Sequence, residues 1–363
     1  MNWMLKSVCG VLIGAGAMQV NRGGTSLPQP EPARDKAEKM ATPVIDGLRA
    51  EAGKLAHLVK TDAAEAFLVA ASCLPEPAPI TVYRDASRTA ALTQAEFDGL
   101  PEAERSAYTK RDFDAAFYYY TGYGTPLLYT RAIDLAAAAK AGLGDEASGF
   151  AGKKVFDFGY GSVGHLRIMA SLGAEVTGVE VEPVLRAIYS GPGDTGKIAG
   201  CADRSGGSVT LLNGHWPAES DIANKAGDEY DLFISKNVLK AGYIHPAREV
   251  DERFLVKLGV DDESFVRTVY GMLKPGGCIL IYNFSPAQNP VDEPYLPHAD
   301  GKCPFGRALL EQAGFEVLAF DRDDQFAALD YWRALDLDQG KGREAMSSEL
   351  FAWYTLARKP VAQ

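Results

Sequence analysis

From Lys153 onward the chain alternates short apolar runs of strand length with segments of helical period, and few folds accept that alternation. The runs are Val155–Phe158, Glu175–Val179, Val209–Leu212, Tyr230–Ser235, Cys278–Tyr282 and Phe315–Phe320. Helices fit between them, notably over Val163–Leu172, Pro183–Tyr189 and Ser264–Leu273. This pattern predicts an α/β domain with a mostly parallel sheet covered by helices on both faces. The final apolar segment, Leu350–Ala357, has no helix after it, so it is expected to return antiparallel beside the preceding strand.

The chain has 363 residues, long for one compact domain, and its first part reads differently from the rest. Lys6 precedes a short apolar run that ends in Ala15-Gly-Ala17, a small-residue cleavage pattern. Residues 1–17 therefore read as a secretory signal, predicting export to a periplasmic or extracellular location. A cytoplasmic protein with an uncleaved segment is the alternative. Residues 18–41, with Gly23-Gly24 and prolines 28, 30 and 32, read as a linker. Residues 42–149 read as a helical cap. Ile45, Leu48, Leu55, Leu58 and Val59 follow helical spacing, and Asp62 with Glu65 and Thr93 with Glu96 resemble capping boxes. Ile80–Tyr83 is a candidate strand.

Within residues 150–363, Val155-Phe-Asp-Phe-Gly-Tyr-Gly-Ser-Val-Gly164 carries an apolar strand into a glycine-rich turn that opens a helix. Gly159 suits the tight turn, Gly161 lets a ligand approach the backbone, and Gly164 allows close helix–strand packing. The helix N-terminus offers free N–H groups to an anion. Glu180 ends the next strand, where a carboxylate can accept both hydroxyls of a ribose. This much fits a dinucleotide dehydrogenase as well. Asp157 discriminates, because a carboxylate two residues before the first glycine suits the ammonium of an amino acid better than a pyrophosphate.

In these residues the sequence resembles the S-adenosylmethionine (SAM) dependent methyltransferase family of class I, whose first motif is Asp-x-Gly-x-Gly-x-Gly. The resemblance covers about residues 150–360. It extends to Leu273-Lys-Pro-Gly-Gly277 before a strand and to Leu309–Phe315 leading into Glu316-Val-Leu. Val163 stands where the family often has its third glycine, and Gly164 follows it. The resemblance implies a seven-stranded Rossmann-like fold, SAM as cofactor, and cofactor contacts at Asp157, Gly159, Gly161, Gly164 and Glu180. Gly214 and His215, after the third strand, are expected near the adenine. An NAD-dependent oxidoreductase and a noncatalytic SAM-binding protein remain the alternative readings.

Methyl transfer asks mainly for positioning, with a base only where the acceptor keeps its proton. Past the fourth strand, Lys236 and Asn237 are expected to border cofactor and acceptor, with Tyr243 and His245 as candidate proton acceptors. His298 and Asp300 are weaker candidates of the same kind. Tyr118–Pro126, with Gly122 and Gly124, is a candidate lid with aromatic faces toward a sulfonium. The motif of amine-modifying members is absent after the fourth strand, as is the acidic cluster of metal-dependent ones, so no metal is expected. A net charge of −11 without a basic stripe argues against nucleic acid, leaving a small-molecule or protein acceptor. The apolar N-terminal run is too short to span a bilayer. Five dispersed cysteines, Cys9, Cys73, Cys201, Cys278 and Cys303, lack metal-ligand spacing, and their odd number does not suggest a disulfide framework.

Overall fold

The computed structural model describes residues 43–361. The expected signal and the expected linker lie outside the described residues. Among the described residues, eleven strands form two sheets. The smaller one holds β1 (Ile80–Asp85), β2 (Ala91–Thr93) and β3 (Tyr108–Phe113) in the order β2-β1-β3, all antiparallel. The larger holds β4 (Lys154–Phe158), β5 (Glu175–Glu180), β6 (Gly196–Lys197), β7 (Ser208–Asn213), β8 (Tyr230–Lys236), β9 (Leu273–Pro286), β10 (Glu316–Asp323) and β11 (Leu350–Arg358). Their order is β10-β11-β9-β8-β4-β5-β7-β6.

Every strand expected from the apolar runs is present. β4, β5, β7, β8 and β9 are parallel, while β11 is antiparallel to both β9 and β10. The final strand thus lies beside its predecessor as expected, and it also separates β10 from β9. The eighth strand, β6, is a two-residue antiparallel edge on β7 and had no apolar run to announce it. β9 begins at Leu273, so Leu273-Lys-Pro-Gly-Gly277 enters the strand instead of preceding it.

Strand alternation sorts the core onto the two faces. Val155, Leu232 and Leu280 belong to one apolar cluster, and Phe156, Phe233, Ile279 and Ile281 to the other. The first cluster is shared with the N-terminal helices α1 (Val44–Leu55), α2 (Asp62–Ala70) and α3 (Thr130–Ala138), and with α4 (Gly164–Ser171), which follows β4. Leu48, Leu55, Phe67 and Ile133 are buried there beside Leu166, Val176 and Trp332. The cap region is therefore continuous in its core with the sheet. It also contains the small antiparallel sheet, where the sequence suggested one strand.

Local signals hold with one shift. Thr93 and Glu96 close a full capping box. At α2 the cap is Thr61, whose hydroxyl accepts from Ala64 N, and Asp62 is already helical. Thr61 is itself held by the Asp134 carboxylate of α3, a partner that local sequence cannot reveal. A second long-range tie runs from Arg131 of α3, whose guanidinium makes a bidentate pair with Asp324 at 2.8 and 2.6 Å. Tyr282 OH donates to the same carboxylate.

Cys73 and Cys201 form a disulfide with Cα atoms 5.6 Å apart across a sequence separation of 128. This corrects the sequence expectation, since spacing cannot pair cysteines so far apart in the chain. The bond fastens the cap to the segment before β7, while Cys278 and Cys303 are free and buried. Among the described residues no helix is long and apolar enough to cross a membrane.

Closing a loop of this length constrains the unfolded chain, so replacing both Cys73 and Cys201 by serine should cost about 2–4 kcal/mol in denaturant unfolding. Intact mass under non-reducing conditions reads the bond directly. A variant as stable as the parent, or a parent with free thiols at both positions, would overturn its role.

Candidate functional site

The site grows from the C-terminal ends of the central strands. β4 stops at Phe158, and Gly159 and Gly161 take left-handed φ values of 77° and 59° that a side chain would strain. Gly159 N and Tyr160 N donate to Val179 O, which pins the turn against β5. A Cβ at Gly159 would meet Val238 at 2.5 Å, so the glycine lets the segment after β8 close on the turn.

Glu180 closes β5. Its carboxylate accepts from Gly161 N at 3.1 Å, Val181 N at 2.8 Å and Glu182 N at 3.2 Å. Burial nevertheless lifts its pKa above the ordinary carboxylate value, outweighing the three N–H donors. Glu182 caps α5 (Pro183–Ile188) and binds Arg84 of β1 at 3.0 Å, so the small sheet buttresses this wall.

These ends open into a cavity of about 390 Å³. Gly159, Gly161, Glu180, Gly214, His215, Lys236, Asn237 and Tyr243 all line it, which brings together most of the residues singled out in the sequence. Gly214 N donates to Glu180 O, and His215 is exposed at the rim. Asn237 is partly committed elsewhere, since its Oδ1 accepts from Phe284 N and braces β8 against β9. Phe158, Val179, Trp216, Leu255 and Val256 supply apolar wall. Trp216 packs among Phe156, Phe158, Phe233 and Phe265.

Three expected site residues stand elsewhere. Asp157 is fully buried behind the cleft wall, with Oδ2 2.5 Å from His165 Nε2 and Oδ1 3.5 Å from Tyr129 OH. Burial lowers the His165 pKa, so the neutral ring donates Nε2–H to the carboxylate. Gly164 is also away from the cavity: a Cβ there would fall 2.8 Å from Pro126, so its hydrogen serves packing. His245 is half exposed, outside the cleft, with Nε2 2.7 Å from Asp262 in a shallow depression. His298 is partly buried, and burial pulls its pKa down to about 4, while Asp300 accepts from Tyr295 OH. The expected lid is core: Tyr119 is fully buried, and its OH donates to Pro75 O.

Sequence reading missed Tyr129, whose ring forms part of the cavity wall and stacks on His165 at 3.6 Å. Only its position in the long aromatic stretch hinted at it. Lys236, buried to 7% exposure, holds its Nζ 5.0 Å from the Tyr129 ring centroid and 5.5 Å from that of Phe284.

The strand order now decides the fold. A dinucleotide-binding sheet runs 3-2-1-4-5-6 in parallel. Here β7-β5-β4-β8-β9 supplies 3-2-1-4-5, and a reversed last strand is wedged before the sixth. This is the class I methyltransferase fold. No family model matches the chain, and no curated protein matches it. Among solved structures of the methyltransferase fold, the cyclase SpnF shares 18% identity over 64% of this chain and 81% of its own, with a TM-score of 0.37. Phosphoethanolamine N-methyltransferase 2 of Haemonchus contortus shares 14% over 77% of this chain and 68% of its own, at 0.36. The arsenic(III) SAM methyltransferase of Chlamydomonas reinhardtii shares 18% over 58% and 64%, at 0.32. Likenesses this distant add nothing to the strand order.

Lys236 gives the site a pH signature. Burial lowers its pKa from 10.5 to about 8, with Asp157 opposing the shift. Below that value the folded protein carries the cost of a buried charge. Between the folded and unfolded pKa values the unfolded chain binds more protons, so stability rises with pH. Lys236→Met should therefore be more stable than the parent at pH 7, by on the order of 2–3 kcal/mol. The gap should close as the pH rises from about 8 toward 10.5, followed by urea unfolding. A less stable variant at pH 7 would refute the cost assigned to this charge.

Proposed function

We propose that the chain is a SAM-dependent methyltransferase acting on a small-molecule or protein acceptor. The observation that carries this reading is Glu180, placed at the end of β5 beside the left-handed Gly159–Gly161 turn and facing the cavity. A carboxylate there suits a ribose diol, and the volume is in the range of small-molecule sites. Trp216, Phe158, Val179, Leu255 and Val256 offer apolar surface for a purine, with Gly214 and His215 beside it. The residues present thus fit the cofactor.

SAM bound in this cleft supplies an electrophilic methyl carbon. The chain's own contribution is placement: the glycine turn admits the ligand to the backbone, and Glu180 fixes it laterally. Tyr243 remains the candidate acceptor-side contact because it lines the cavity, whereas His245 faces away from it. The net charge of −11 favours an acceptor other than nucleic acid.

Calorimetry should show S-adenosylhomocysteine binding with little or no binding of NAD. Glu180→Ala should weaken S-adenosylhomocysteine by about 1–3 kcal/mol, the usual loss for hydrogen bonds at a charged group. His245→Ala should leave it unchanged. Tight NAD binding without a response to S-adenosylhomocysteine would establish the oxidoreductase alternative. Binding without methyl transfer to any component of a metabolite and protein extract supplied with labelled SAM would establish the noncatalytic one.

We also propose export. The signal pattern of residues 1–17 supports it, and so does the Cys73–Cys201 bond, because disulfides persist mainly in oxidising compartments. Protein isolated from its native host should begin near Met18. An intact N-terminus on protein recovered from the cytoplasm would sink the idea.

A further inference from the structure

The order of the central strands lays out the cleft as a line. Glu180 closes β5, the glycine turn closes β4, and Lys236 closes β8, with β4 between the other two. Adjacent strands lie about 4.8 Å apart, so Glu180 and Lys236 stand roughly 10 Å from each other across the turn. A nucleoside whose ribose meets Glu180 and whose tail crosses the glycine turn brings the end of that tail to Lys236.

The usual anion site of such a fold is closed here. Helix α4 begins at Gly164, and its N-terminus would ordinarily face an anionic group. Ser162 Oγ instead donates to Tyr119 O at 2.8 Å and accepts from Gly164 N at 3.3 Å. Pro126 and Tyr119 lie directly against Gly164. Tyr119 and Pro126 thus crowd the first residue of the helix, and neither Ser162 nor Gly164 borders the cavity.

Lys236 is the opposite case. It lines the cavity, and among the described residues its ammonium has aromatic faces nearby but no hydrogen-bond acceptor and no ion-paired carboxylate. The other cations of the wall are engaged. Lys240 Nζ donates to Phe284 O and His298 O, Arg253 pairs with Asp251, and Lys257 pairs with Glu252. A buried cation with ring faces beside it and only the unbonded charge of Asp157 to oppose its burial is costly, and a ligand anion offsets that cost.

We propose that Lys236 Nζ receives the carboxylate of the cofactor's amino-acid tail, in place of the blocked helix N-terminus. The assignment rests on the SAM reading above and makes the site selective for nucleosides that carry a carboxylate. Asp157, sealed behind Tyr129 and His165, takes no direct part in holding the tail.

Titration calorimetry at pH 7 tests it with two probes, S-adenosylhomocysteine and 5′-methylthioadenosine, which lacks the amino-acid tail. Lys236→Met should bind S-adenosylhomocysteine about 10- to 100-fold more weakly than the parent while methylthioadenosine stays within about twofold. Lys236→Arg should recover most of the loss. Thermal melting controls for folding, since the methionine variant is expected to melt no lower than the parent. Unchanged S-adenosylhomocysteine affinity in Lys236→Met overturns the assignment and leaves the SAM reading standing. Equal losses for both probes also overturn it, because Lys236 would then be shaping the cavity as a whole. A parent protein that binds neither probe overturns the SAM reading and this assignment with it.

Discussion

Close packing at the start of α4 is the contact on which the site depends. Because Gly164 has no side chain, Pro126 and Tyr119 can lie against the helix terminus, and Ser162 joins the two segments by hydrogen bonds in both directions. Residues 119–129 are thereby held beside the glycine turn, and Tyr129 is delivered onto His165. Asp157 is sealed by the same contact. A fold that ordinarily leaves this corner open to ligand has filled it with its own chain, and the chemistry of the cleft shifts toward β8.

The charges of the cleft follow from that shift. An acid whose pKa is raised by burial stands on β5, and a lysine whose pKa is lowered by burial stands on β8, with the turn between them. Neither arrangement favours the folded state by itself, since each leaves an ionisable group in poor solvent. Glu180 recovers part of the cost through three backbone N–H groups, whereas Lys236 makes no hydrogen bond among the described residues and has ring faces and the charge of Asp157 nearby. Groups kept under such conditions are candidates for function, and both border one cavity.

Much of this was legible in the sequence, for identifiable reasons. Strands flanked by glycine turns and amphipathic helices announce themselves through period and composition, so the sheet, its reversed last strand, the glycine turn and Glu180 could be read directly. Tertiary partnerships could not. The expected role of Asp157 assumed an open neighbourhood, and nothing local says that His165, eight residues on, folds back onto it. His245 looked poised because its residue type suits proton transfer, but the single helical turn Ala241–Ile244 carries it past the cleft toward Asp262. The small sheet escaped notice because β3, Tyr108–Phe113, is polar along most of its length and gives no buried-strand signal.

The Cys73–Cys201 bond and the Arg131–Asp324 pair act on the same problem toward opposite ends of the sheet. The cap contributes Tyr129 to the cavity and Arg84 to the wall at Glu182, so any loosening of the cap changes the site itself. A covalent tie near β7 and a bidentate ion pair near β10 hold it at both ends. Proteins of one fold need not share a chemistry, because function resides in the site and not in the sheet. In this chain the cap completes the site, and its fastening turns a common sheet into a particular cleft.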